Sequence, residues 1–204
     1  MENVLHLCGD IKAAPTISHE SHGIVFYTFP LSVERLSGAW DTLNVIAPEA
    51  MCRRCAEGAR MRLFGQVRSY NNHGAEGSRL QISAWAKSLE ESADACDNRV
   101  LLHGVLCKPP VYRCTPYGRE ITDIMLRVER GMPPELLNTA RRPRFDYIPC
   151  VTWGSVARMC AALEPYTPVT FEGRLQSRAY MKTIGTETQT RTAYEVSVAQ
   201  CTLL

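Results

Sequence analysis

The sequence predicts an all-β protein made of two tandem copies of one small five-stranded barrel, each copy with a short helix. Three observations lead there. The first is an internal repeat: Asn3, Gly9, Pro15, Gly23, Val33, Glu34 and Arg35 recur as Asn98, Gly104, Pro110, Gly118, Val128, Glu129 and Arg130 at a constant offset of 95. Past an insertion in the second copy, 65–69 (GQVRS) aligns with 173–177 (GRLQS) at an offset of 108, and 80–83 (LQIS) with 194–197 (YEVS) at 114. The second observation is a period of two, rich in β-branched and aromatic residues, through most of both copies. The third is size: 204 residues, 45% apolar and 22% charged, suffice for two globular units of about 100 residues each and argue against wholesale disorder.

In the first copy, 4–11 alternates apolar and polar, 24–33 is β-branched and aromatic, and 41–47 is a shorter strand. Pro48 then opens a helix to about residue 56, with proline in the first helical position where its missing N–H costs nothing. Strands 61–70 and 79–87 flank the turn-rich segment 71–78 (NNHGAEGS). The second copy repeats the plan as strands 99–106, 120–130 and 145–153, a helix over 155–163, and strands 169–180 and 191–202. Three strands, a helix and two strands is the order of the OB-fold, a five-stranded Greek-key barrel. The acidic, small-residue segment 90–97 reads as a linker, giving domains 1–92 and 97–204.

Net charge is only +2, but it is unevenly spread. Residues 1–96 carry 9 basic against 11 acidic side chains, and residues 97–204 carry 14 against 10. Of the 23 basic residues only four are lysine, and arginine is the better residue for planar stacking and bidentate phosphate contact. No run approaches the roughly 18 apolar residues of a membrane span. Nine scattered cysteines, an odd number behind a strand-like N-terminus with no secretory pattern, fit a cytoplasmic protein with reduced thiols. Cys52 and Cys55 form a C-x-x-C spacing without the second pair a structural zinc site needs, so no metal or cofactor is expected. His19 and His22 lack the i,i+4 spacing of a zinc-protease helix. Phosphate-loop, dinucleotide and nucleophile-elbow motifs are absent, and the chain is not expected to be an enzyme.

What the second copy does carry is a set of outward-facing rings and cations. Tyr147 and Trp153 share one face of strand 145–153, opposite Ile148 and Cys150. Arg174, Gln176, Arg178 and Tyr180 share one face of strand 169–180, opposite Leu175. Aromatics interleaved with arginines on a solvated sheet suit a single-stranded nucleic acid, offering flat surfaces to bases and charge to phosphates. Arg141, Arg142 and Arg144 fall in the insertion 131–144, Arg113 and Arg119 flank the turn 115–118, and Arg127 lies on the second strand. In the first copy the positions of Tyr147 and Trp153 hold Thr42 and Ala47 or its neighbour, and that of Tyr180 holds Asn72. Arg68 and Tyr70 remain on the corresponding face, with Trp40 nearby.

Through 112–123 (YRCTPYGREITD), 146–154 (DYIPCVTWG) and 173–180 (GRLQSRAY), the chain resembles the bacterial single-stranded DNA-binding proteins. The first copy carries the same frame more weakly, over 3–5, Gly9, 31–35 and 65–72. The resemblance implies two OB-folds in tandem and sequence-independent binding of single-stranded DNA in replication, recombination or repair. It also implies a nucleoid-associated location and a homodimer that assembles four folds from two chains. It places stacking rings at Tyr147, Trp153 and Tyr180, with Gln176 and Arg178 near phosphate-contacting positions. The family commonly ends in an acidic tail that recruits other enzymes, whereas this chain ends VAQCTLL after a strand, so that role is not expected. Two alternatives stay open on the residues alone: an OB-fold assembly subunit of a replication-restart complex with weak DNA binding, and a binder of single-stranded RNA.

Overall fold

The computed structural model describes residues 2–71, 80–131, 144–184 and 187–204. The first barrel is built from β1 (Asn3–Ile11), β2 (Thr16–Ser21), β3 (Ile24–Glu34), β4 (Trp40–Pro48), β5 (Arg60–Asn71) and β6 (Leu80–Glu91). The second follows with β7 (Asp97–Leu106), β8 (Val111–Cys114), β9 (Glu120–Glu129), β10 (Phe145–Trp153), helix α1 (Gly154–Ala161), β11 (Pro168–Ile184) and β12 (Glu187–Leu203). All twelve strands join one sheet in the order β2-β3-β4-β6-β5-β1-β7-β11-β12-β10-β9-β8. Extra pairings of β1 with β3 and of β7 with β9 close it into two OB-fold barrels.

Closure explains two of the repeated glycines. β1 pairs with β5 along most of its length and turns at its end onto β3, where Asp10 faces Ser32. A Cβ on Gly9 would lie 2.2 Å from the Ser32 carbonyl oxygen, and one on Gly104 2.5 Å from that of Arg127. Only a residue without a side chain lets the strands cross so closely. Inside, Leu5, Leu7, Phe29, Leu31, Leu43 and Leu63 fill the first barrel, and Leu102, Leu106, Leu126, Ile148, Phe171 and Val196 the second.

The two barrels are not beads on a linker. β1 and β7 pair antiparallel from Asn3–Leu102 to Cys8–Asp97, so the sheet runs unbroken from one barrel to the other. Of the expected linker 90–97, the first two residues finish β6 and the last begins β7. Backbone pairing wins because strands in register satisfy their N–H and C=O groups without water.

Four further sequence expectations are corrected. β2 and β8, unforeseen, give six strands per barrel; they are solvent-exposed along nearly their whole length, so no alternation announces them. The expected helix 48–56 is instead a 3-10 helix, Glu49–Arg54, that buries no residue and follows Pro48 at φ −60°, ψ 148°. Six residues without a buried face do not offset the nucleation cost of an α-helix. The helix of the second barrel stops at Ala161, two residues short of the expectation. Finally, Gly65 faces Ala86 and Gly173 faces Val198, so the last strands correspond at an offset of 112 rather than 114. A slip of two leaves every side chain on the same face, which is why the sequence pattern tolerates it.

Candidate nucleic-acid interface

On β10 the even-numbered residues all face the core, while the other face is exposed at Tyr147 and Trp153 and buried between them at Val151. Asp146, Ile148, Cys150 and Thr152 are buried, while Tyr147 and Trp153 are each 42% exposed. Trp153 ends the strand because Gly154 turns the chain directly into α1 with φ +56°, a left-handed conformation that favours glycine. The indole is thereby held at the barrel rim. Across the ladder Tyr147 faces Arg127, whose guanidinium sits 4.8 Å above the ring of Phe145. Rings and cation thus form one layer on the outer face of β9 and β10.

The cations of β11 are more engaged than their parity suggests. Gln176, expected on the solvated face, is buried: its Nε2 donates to Glu195 Oε1 at 2.9 Å and its Oε1 accepts from Arg174 at 3.2 Å. Glu195 of the neighbouring strand pulls the amide down against the sheet. Arg174 itself is half-buried, its Nε has no partner among the described residues, and burial draws its guanidinium below the ordinary arginine value. Arg178 is exposed and pairs with Glu195 at 3.3 Å, and Tyr180 is half-buried opposite Arg191. Arg113 makes a two-pronged pair with Asp123 at 2.8 and 3.2 Å, both groups half-exposed. Exposed pairs of this kind contribute about 0–1 kcal/mol, so exchanging the carboxylate for a phosphate costs little. Arg119 and Arg144 lie exposed at the surface. Arg141, Arg142 and Asn72 lie outside the described residues.

Arg68 and Tyr70 belong to the first barrel by sequence but meet the second in space. Between them Ser69 donates its N–H to Asp146 Oδ1 at 2.7 Å, and its hydroxyl accepts the N–H of Tyr147 at 2.8 Å. Arg68 reaches Asp146 at 3.4 Å. Burial, with Arg130 close by, lowers its guanidinium from the ordinary value, and its Nε has no partner among the described residues. Tyr70, 47% exposed, therefore stands on the strand that abuts Tyr147. Thr42 is where Tyr147 would be in the first barrel, and the ladder puts Pro48, the neighbour of Ala47, in the place of Trp153.

Sequence reasoning missed the groups that lock this arrangement. Asp41 and Asp146, both fully buried, sit on opposite sides of the β1–β7 seam in equivalent roles. Asp41 binds Arg35 through two bonds of 2.7 and 2.6 Å and accepts the N–H of Ser177, on the other barrel, at 2.7 Å. Asp146 binds Arg130 at 3.0 and 2.7 Å and accepts the N–H of Ser69. Each arginine closes the ring onto the same serine's carbonyl: Arg35 onto Ser177 at 3.2 Å and Arg130 onto Ser69 at 2.6 Å. The signal was present, since Arg35/Arg130 and Ser69/Ser177 are repeat pairs, but only the fold shows that each pair reaches across the seam. Among the described residues no cluster of His, Cys, Asp or Glu is arranged to hold a metal ion. No helix among them is long and apolar enough to cross a membrane.

Two closed OB-barrels fused through their first strands, with an aromatic and basic outer face on the second, define a tandem OB-fold protein. The same architecture occurs in the wild-type single-stranded DNA-binding protein of Thermus aquaticus, which matches all of this chain and 93% of its own at TM-score 0.77 and 16% identity. The model of the single-strand binding protein family matches residues 97–204. This chain belongs to that family. It is 37% identical over 84 residues to single-stranded DNA-binding protein A of Bacillus subtilis, a match covering 41% of this chain and 46% of that protein. To the single-stranded DNA-binding protein of Caldanaerobacter subterraneus it is 36% identical over 84 residues, 41% of this chain and 53% of that one. The matches span about half the length of these curated relatives.

Proposed function

We propose that this chain binds single-stranded DNA with little regard to sequence, in replication, recombination or repair, and performs no catalysis. The observation that carries the reading is Tyr147 and Trp153: two large rings on a strand whose other parity is fully buried, held outward at 42% exposure. Each ring offers a stacking surface worth about 1–3 kcal/mol per base, and Tyr180, Arg127, Arg178, Arg113, Arg119 and Arg144 lie on or beside the same barrel. Residues 97–204 are on this reading the main binding unit. Residues 1–92 add Arg68 and Tyr70 along the seam, where Ser69 meets Tyr147 and Asp146. The protein works in the cytoplasm, on the nucleoid.

The same reading makes the chain a homodimer of four folds. The shared sheet has an outer face where His6 and Phe64 meet at 5.0 Å, and Phe64 is 38% exposed. A second copy laid on that face covers the ring. Sedimentation should give twice the chain mass, and Phe64→Glu should halve it; a monomeric wild type overturns the assembly.

The binding itself is tested by titrating intrinsic tryptophan emission with oligo-dT, oligo-rU and duplex DNA at two salt concentrations. Saturable quenching by oligo-dT, weak response to duplex, and an affinity falling by roughly 0.7 log units per phosphate contact for each log unit of salt are expected. No response to any of the three refutes the proposal. Equal response to oligo-rU makes the protein a general single-strand binder.

A further inference from the structure

The register removes the stacking rings from the first barrel, yet the same face of that barrel carries three others. His19 on β2 lies flat on Phe26 of β3, ring centres 4.9 Å apart and planes 11° from parallel. Phe26 in turn meets Trp85 of β6 at 4.8 Å, and His19 stands 6.4 Å from the indole. Residues paired across adjacent strands share a face. The row His19–Phe26–Pro48 runs across β2, β3 and β4, and Trp85 flanks it by pairing with Ile46. In the second barrel the equivalent row is Arg113–Ile121–Trp153, with Ser197 opposite Gln66's counterpart Arg174 where Trp85 stands opposite Gln66. The first barrel thus has an indole on its last strand where the second has Ser197, and an imidazole on β2 where the second has Arg113 on β8.

Packing accounts for only part of this pile. Phe26 is 8% exposed and Trp85 half-buried, as a small satellite core requires. His19 is exposed, with one ring face spent on Phe26. Its Nδ1 is 3.0 Å from the Ser18 hydroxyl, a bond that holds the ring in plane. A ring fixed flat at the surface, over an aromatic stack and on the face that carries Trp153 in the sister barrel, is a prepared platform for a planar group.

We propose that the first barrel contributes its own base-stacking step, formed by His19 over Phe26 with Trp85 beside it, to the path of the same single strand. The inference rests on the chain being a binder of single-stranded DNA. Trp85 is one of three tryptophans, so Trp40→Phe with Trp153→Phe leaves it as the sole indole while keeping aromatic faces elsewhere. Oligo-dT should quench this variant's emission saturably. Adding His19→Ala should weaken its affinity by roughly fivefold or more, with an unchanged thermal melt. Trp85 emission that stays constant at DNA concentrations where a labelled oligo-dT is fully shifted by the same variant overturns the inference and leaves DNA binding standing. Failure of the wild type to shift the labelled oligo-dT at all overturns both.

Discussion

Removing the Asp41 carboxylate tests the seam most directly. Asp41 is fully buried, and its oxygens accept two bonds from Arg35, at 2.7 and 2.6 Å, and two from Ser177, at 2.7 and 3.2 Å. Asp41→Ala deletes both acceptor oxygens and all four bonds at once. It leaves the Arg35 guanidinium without its counter-charge and the Ser177 N–H, across the seam, without its acceptor. Breaking one side of a buried ion pair costs about 3–5 kcal/mol, because the surviving charge keeps its desolvation penalty. The Arg35 side chain is 25% exposed, so water recovers part of that penalty, and the lower end, about 3 kcal/mol, is expected. Against a total stability of about 5–15 kcal/mol this is a large loss. Asp41→Asn keeps the shape and one acceptor, and should lose about 1–3 kcal/mol. The assay is equilibrium urea unfolding followed by far-ultraviolet circular dichroism, with Asp97→Asn as control. The Arg99–Asp97 pair is 73% and 37% exposed and should shift stability by no more than about 1 kcal/mol. A loss below about 1 kcal/mol for Asp41→Ala, no larger than the control, would refute the buried-clasp argument.

Three other outcomes are expected. Trp153→Ala and Tyr180→Ala should each weaken oligo-dT binding by about 1–3 kcal/mol in fluorescence or mobility-shift titrations, and wild-type affinity in both would remove stacking from the mechanism. Tyr70→Ala and Tyr147→Ala, on strands that meet at Ser69, should show a coupling of about 0.5 kcal/mol or more in a double-mutant cycle of oligo-dT binding; strict additivity would mean that the two rings act independently. Burial pushes the Cys55 and Cys160 thiols up from 9.0 to about 12. Their neutral form is therefore favoured by folding: the contribution is complete below pH 9.0 and is lost as pH rises toward about 12. Melting temperature should decline across that window, and Cys55→Ser with Cys160→Ser should flatten the decline. An identical slope in that variant would place the alkaline lability elsewhere.

Much of the fold was legible in the residues because the barrel states itself twice. Alternation on 145–153 put Tyr147 and Trp153 outside and Ile148 and Cys150 inside, and burial bears out those four positions, although Val151 on the outer face is also buried. Repeated Gly9 and Gly104 marked strand crossings that no Cβ permits. Local patterns fail where a strand has no buried face, as with β2 and β8, and where two registers keep the same faces, as with β12.

The candidate site was legible by residue type and not by partner. An arginine in a sequence does not reveal whether a carboxylate will stand beside it, so Arg113, Arg178 and Arg68 read alike although they pair with Asp123, Glu195 and Asp146. Gln176 shares parity with exposed neighbours but is drawn inward by Glu195, 19 positions along the chain and one strand away. The sequence alone determined two barrels, their strand faces and the rings of the second. Only the tertiary structure decided that β1 and β7 fuse them, that Asp41 and Asp146 lock the seam through the opposite barrel's serines, and that Arg68 and Tyr70 stand beside Tyr147. Strand parity is a property of consecutive residues and can be read along the chain. A salt bridge or a stacked ring depends on atoms brought together by closure of the sheet, and that distance is set by the whole fold.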